Sequence, residues 1–160
     1  MRNLLVLVTA CTFLLSCGKS SNSSSESGSI IKEAEKEPMV SKGDAKLDQY
    51  IYAGKELYDT HCSNCHQENG EGLASLYPPI KNSDYLDGRM KEVPCIIKNG
   101  IYGEITVNGK VFDQVMPGNF RLTDLEIAEI TTFIYNSWGR SEGILNVKEV
   151  NKIMKECKKE

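Results

Sequence analysis

The chain has 160 residues and a formal net charge of −3, with 26% of its residues charged. That length is a soft prior for one folded domain. The weakly acidic balance leaves no electrostatic footprint for nucleic acid, which is excluded as a partner.

Arg2 precedes an apolar run from Leu4 to Leu15, softened at Thr9, Ala10, Cys11 and Thr12. A run of about a dozen residues is too short to span a bilayer comfortably and has the shape of a secretory signal. Its end, Leu14-Leu15-Ser16-Cys17, resembles the lipobox of bacterial lipoproteins. The resemblance implies a signal over 1–16 and lipidation of Cys17, with plain secretion and a nearby cleavage as the alternative. Residues 17–43 carry Ser20, Ser21, Ser23, Ser24, Ser25 and Ser27, then Lys32-Glu33-Ala34-Glu35-Lys36-Glu37-Pro38. Such a stretch cannot bury an apolar face, so it reads as a flexible tether with a typical reach of about 25–30 Å.

From about Asp48 to Thr60 the pattern predicts a helix. Tyr50, Ile51, Gly54, Leu57, Tyr58 and His61 recur on one face of a 3.6-residue period. Gly54 is unfavourable inside a helix and marks a close approach to another one. The helix runs into Cys62-Ser63-Asn64-Cys65-His66, a C-x-x-C-H sequence. It reads as an attachment site for a c-type heme. Two thiols at this spacing can each add to a porphyrin vinyl group, and the following histidine offers an imidazole nitrogen to iron. A thioredoxin-like dithiol would need a βαβ context, and a zinc site would need further ligands. Neither pattern follows, and His61 and His66 are the only histidines.

Gly54-x-x-x-Tyr58-x-x-x-Cys62, running into this motif, resembles the N-terminal helix of class I cytochrome c. The resemblance implies a mostly α fold, three to five helices around one covalent heme c. It extends over about residues 47–138, within a domain read as 44–140. After the glycine-rich loop Gln67–Gly72 comes Tyr77-Pro78-Pro79-Ile80. In that family a proline carbonyl twelve residues past the histidine accepts its second ring N–H, and Pro78 has that spacing. Pro79 stays open for the role, and a stiff turn with no such role is the plain alternative. Tyr77 and Ile80 are expected to pack on the heme.

Short helices are expected over 84–89 and over 93–99, the latter ended by Gly100. Two β-branched runs around Asn108-Gly109 predict a hairpin from Glu104 to Phe112. It leads to Met116-Pro117, which matches the family's Met-Pro motif fifty residues past His66. The resemblance makes Met116 the second axial iron ligand, with a gap-filling core methionine as the ordinary alternative. A soft, neutral thioether opposite histidine favours Fe(II) and raises the potential.

Thr123 and Glu126 form a capping box for a last core helix. Its apolar stripe is Ile127, Ile130, Ile134 and Trp138, flanked by Phe133 and Tyr135, with Gly139 as its stop. The family's helix crossing implies that Gly54 touches the Phe133/Ile134 region. Residues 141–160 form an extension in which Val147, Val150, Ile153, Met154 and Cys157 share one helical face. Cys95 and Cys157 remain once the signal, lipid and heme cysteines are set aside. In an oxidising compartment they are expected to pair, two buried free thiols being the alternative.

The whole reads as a monomeric, mono-heme electron carrier rather than an enzyme. It would be lipid-anchored in the bacterial cell envelope, with the heme domain in the periplasm or outside the cell. Its partners would be a redox donor and acceptor of unspecified identity. A heme enzyme or ligand sensor with a displaceable sixth ligand is the competing function, and a di-heme peroxidase would need a second C-x-x-C-H.

Overall fold

The structure, a computed structural model, describes residues 44–157. The expected signal, Cys17 and the 17–43 tether lie outside the described residues. Helix α1 runs Ala45–His61 and begins earlier than its apolar periodicity because Asp44 caps it. The Asp44 carboxylate accepts the N–H groups of Lys46 and Leu47 at 3.0 and 3.3 Å. Tyr50, Ile51, Gly54 and Tyr58 form its buried face. The single turn α2, Ser63–His66, follows almost directly.

Helix α4, Asp124–Tyr135, lies across α1. A Cβ placed on Gly54 would sit 2.1 Å from the Glu129 carbonyl oxygen and 2.8 Å from Phe133 Cβ. Only a residue without a side chain allows this crossing. The helix stops at Tyr135, short of the expected Trp138. Asn136 competes with the helix for hydrogen bonds. Its Nδ2 donates to the carbonyls of Thr132 and Gly143, and its Oδ1 accepts the Gly143 N–H. Trp138 therefore leaves the helical stripe and sits at φ +52°. Its ring packs edge-on against Tyr58 and Phe133, with centroids at 5.6 and 5.4 Å.

The expected helix over 84–89 is reduced to one 3₁₀ turn, Asp84–Leu86, because Asp87 is extended and Gly88 takes φ +72°. Helix α3 covers Val93–Asn99 and ends at Gly100, as its sequence implies. Strand β1, Gly100–Ile101, follows. Strands β2, Ile105–Val107, and β3, Lys110–Phe112, form the hairpin. Positive φ at both Asn108 and Gly109 gives the turn that matches strand twist. Strand β4, Met116–Pro117, pairs antiparallel with β1, Ile101 facing Met116.

Helix α5, Val147–Glu156, buries Val150 and packs on α4 and α3. Asn146 and Glu149 cap it reciprocally. A Cys95–Cys157 disulfide, with Cα atoms 5.6 Å apart, ties its end to α3 across 62 residues. A loop of that length contributes nominally about 4 kcal/mol in the chain-entropy picture. Five helices and two small two-stranded sheets thus make up the described residues, a mostly α fold. No helix among them is long and apolar enough to cross a membrane.

The cap of α4 makes stability pH-dependent in a defined direction. The Glu126 carboxylate accepts the Thr123 N–H and hydroxyl at 2.7 and 2.8 Å, which holds its pKa below the usual range. A folded-state pKa below the unfolded one stabilises above the unfolded value and is lost as pH falls through the folded value. Glu126→Gln should therefore lower the melting temperature of the heme-loaded protein at pH 7. The gap should close as both proteins are melted below pH 4. At neutral pH, Thr123→Ala should cost about 1 kcal/mol by denaturant titration.

Candidate heme site

The C-x-x-C-H residues are set by one continuous turn at the end of α1. The Cys62 N–H donates to the Tyr58 carbonyl, and the Cys65 and His66 N–H groups donate to the Cys62 carbonyl. Gln67, at φ +63°, turns the chain out of the helix. The Tyr58 hydroxyl donates to the Gln67 carbonyl at 2.8 Å and fixes that exit. Burial, then the neighbouring Cys62 and Asp59, push the Tyr58 pKa up, so it remains a donor.

His66 is aimed by its second ring nitrogen. Nδ1 lies 2.9 Å from the Pro78 carbonyl oxygen. A carbonyl only accepts, so Nδ1 carries the proton and Nε2 keeps its lone pair. Burial lowers the His66 pKa, partly offset by this hydrogen bond, and the ring is neutral as a metal ligand must be. The bond depends on a glycine. At φ +69°, a Cβ on Gly72 would lie 2.4 Å from the Tyr77 carbonyl oxygen and 2.7 Å from that of Pro78. Any side chain there would push the proline segment away from His66. Gly72 also donates its N–H to the His66 carbonyl at 2.9 Å.

Cys62, Cys65, His66 and Met116 all line one cleft, together with Tyr77, Pro78 and Ile80. It holds about 950 Å³ not filled by protein atoms, its open mouth included. No charged side chain lines it. Burial, with a smaller contribution from Cys65, pushes the free Cys62 thiol up to about 12. Of the methionines among the described residues only Met116 lines the cleft, whereas Met90 and Met154 pack against the core.

Much of the lining was not singled out from sequence. Val93, Ile96 and Ile97 of α3 form one wall, and Val107 and Phe112 of the hairpin contribute another part. Their signal was present in the i, i+3, i+4 spacing of the α3 residues. The helix is too short for that spacing to say which of its two faces meets a cofactor. Cys95 and Cys157 lie outside the cleft and form the disulfide already described. Among the described residues no group of three or more His, Cys, Asp or Glu side chains converges as a metal site, which leaves the zinc reading without a ligand set.

Two thiols, a neutral imidazole with an available nitrogen and a thioether around an apolar cleft fit a porphyrin. This fold and this cleft define a c-type heme protein. The family model for cytochrome c matches residues 51–138. The chain is 29% identical over 99 residues to cytochrome c-552 of Thermus thermophilus, covering 59% of this chain and 75% of that protein. It is 26% identical over 106 residues to the cytochrome c subunit of the quinone alcohol dehydrogenase of Gluconobacter oxydans, covering 63% of this chain but 22% of that protein. The chain belongs to the cytochrome c family. It carries covalently bound heme c and serves heme-based electron transfer.

The heme then belongs to the core. Chain made without heme attachment would have to leave this apolar lining wet or collapsed. It should keep far-UV circular dichroism from α1 and α4 while losing near-UV signal and a cooperative melt. A sharp melt of heme-free chain near that of the holoprotein would contradict this.

Proposed function

We propose that the chain is a mono-heme electron carrier in which Cys62 and Cys65 would form the thioether links to the porphyrin and His66 and Met116 would ligate its iron. The observation that carries this reading is the convergence of all four on one apolar cleft, with the His66 ring already turned by Pro78. Bound heme supplies a one-electron Fe(III)/Fe(II) couple. The chain's residues do the rest. His66, donating Nδ1–H to a fixed carbonyl, holds one ring orientation and is made a better donor. Met116 would offer the iron a neutral, soft sulfur, which favours the reduced state and would compete with small ligands. The apolar walls exclude water, so few dipoles rearrange when charge changes. These features suit electron transfer better than catalysis.

The reading is tested by spectra and potential of the purified protein. The expected ferric form is low-spin with the weak far-red band of thioether ligation, and carbon monoxide does not bind readily to the ferrous form. Met116→Ala should lower the potential by on the order of 0.1 V, within the roughly 0.8 V that axial ligands command. It should also admit carbon monoxide, while Met90→Ala does neither. High-spin iron with free access in the parent protein would instead favour a heme enzyme or ligand sensor.

The redox partners are proposed to be other proteins. Similarity to the cytochrome c subunit of a quinone alcohol dehydrogenase supports a second reading, service within a larger redox complex. Attachment to the cell envelope through Cys17 is proposed from Leu14-Leu15-Ser16-Cys17. Cys17→Ser should move the heme protein from the membrane fraction to the soluble fraction of cells. Continued sedimentation with membranes after detergent-free washing would remove the lipid anchor.

A further inference from the structure

Met116 sits on a segment that has little packing of its own. Pro117 and Arg121 are exposed, and Phe120 at the tip of the following loop is 75% exposed. An apolar anchor is therefore not what fixes residues 117–121. Backbone contacts with the end of α3 fix them instead. Met116 and Pro117 pair with Ile101 and Gly100. The Asn119 N–H donates to the Ile97 carbonyl at 2.8 Å. Gly118 is pressed so closely on α3 that a Cβ there would lie 2.5 Å from the Asn99 carbonyl carbon. Gly100 is equally close on the other side, its Cβ position being 2.3 Å from the Met116 carbonyl oxygen.

Lys98 completes this set with a charged side chain. Its Nζ donates to the Phe120 carbonyl at 3.1 Å and to the Leu122 carbonyl at 2.7 Å. The first belongs to the exposed loop, the second to the buried residue before the cap of α4. One half-buried ammonium therefore joins the end of α3, the loop after Met116 and the start of α4. Its place in the last turn of α3 also suits a cation, because that end of the helix carries partial negative charge.

We propose that Lys98 is a positioning residue for Met116, latching the 117–122 loop to α3 so that the thioether stays in the heme cleft. The inference rests on Met116 being an axial ligand. If the latch is cut, the loop loses two of its few attachments, and the sulfur is displaced more easily by an outside ligand. Charge-assisted hydrogen bonds to carbonyls are stronger than neutral ones, and these two act on a loop whose apolar tip, Phe120, is exposed and whose only apolar burial is Leu122 at its end.

The test uses ferric holoprotein titrated with imidazole, followed by loss of the far-red thioether band. Lys98→Met, which keeps the length of the side chain but no donor, should bind imidazole about tenfold more tightly than the parent. Lys98→Arg, which keeps the cation and its donors, should return most of that change. Met116→Ala shows whether the sulfur is the ligand at all. Asp44→Ala, which removes the cap of α1 far from the Met116 side, serves as a control for general loosening. Unchanged imidazole affinity in Lys98→Met beside a large change in Met116→Ala would overturn the latch and keep the ligand. An equal shift in Asp44→Ala would overturn it as mere destabilisation. No change in Met116→Ala would remove the ligand assignment, and the latch with it.

Discussion

One hydrogen bond, His66 Nδ1 to the Pro78 carbonyl at 2.9 Å, organises the loop that follows the attachment motif. A carbonyl in the right place needs a chain segment brought back across the histidine, and the chain achieves this with glycines. Gly72 permits the close approach of Tyr77 and Pro78. Gly70, at φ +72°, lies against the Trp138 indole, and its carbonyl accepts the N–H groups of Ile80 and Lys81. Trp138 reaches that position only because Asn136 ends α4 early. The α1–α4 crossing at Gly54 in turn holds Tyr58 beside Phe133 and Trp138. The orientation of one imidazole thus depends on contacts that run through both major helices.

The two sides of the cleft are built differently. The His66 side is local in sequence: a helix end, a turn and a loop returning within a dozen residues. The Met116 side is assembled from α3, β1 and β4, which meet only after the chain has folded. Its parts are short, and each is held by backbone pairing or by a glycine too close to its neighbour to accept a side chain. Rigidity there comes from hydrogen bonds rather than from a helical framework. This difference explains why the thioether side is the one where a single cation can matter.

The same difference decided what could be read from sequence. C-x-x-C-H, the Tyr58 helix, the Asn108-Gly109 turn and the Thr123 cap are local patterns whose chemistry lies within a few residues. Each stands in the structure as a local pattern should. The early end of α4 was not legible, because an Asn side chain outcompeting a helix depends on Gly143 arriving seven residues later. Nor was the β1–β4 pair, since two-residue strands carry no periodicity. Lys98 gave no signal at all. A lysine at a helix end is ordinarily a solvated charge, and its partners are main-chain carbonyls twenty-two and twenty-four residues away.

The C-terminal extension takes on a definite physical role in this arrangement. Helix α3 turns Val93, Ile96 and Ile97 toward the cleft, and Cys95, nearly opposite on so short a helix, joins α5. A seven-residue helix is too short to be stable by its own propensity. It must be held from both sides, by cofactor on one and by α5 on the other. The extension beyond the family-matched residues 51–138 therefore backs the wall that carries Lys98 and templates Met116. The disulfide matters less for the stability it adds to the whole than for where it acts. It fixes the one short element on which the thioether side of the cleft is built.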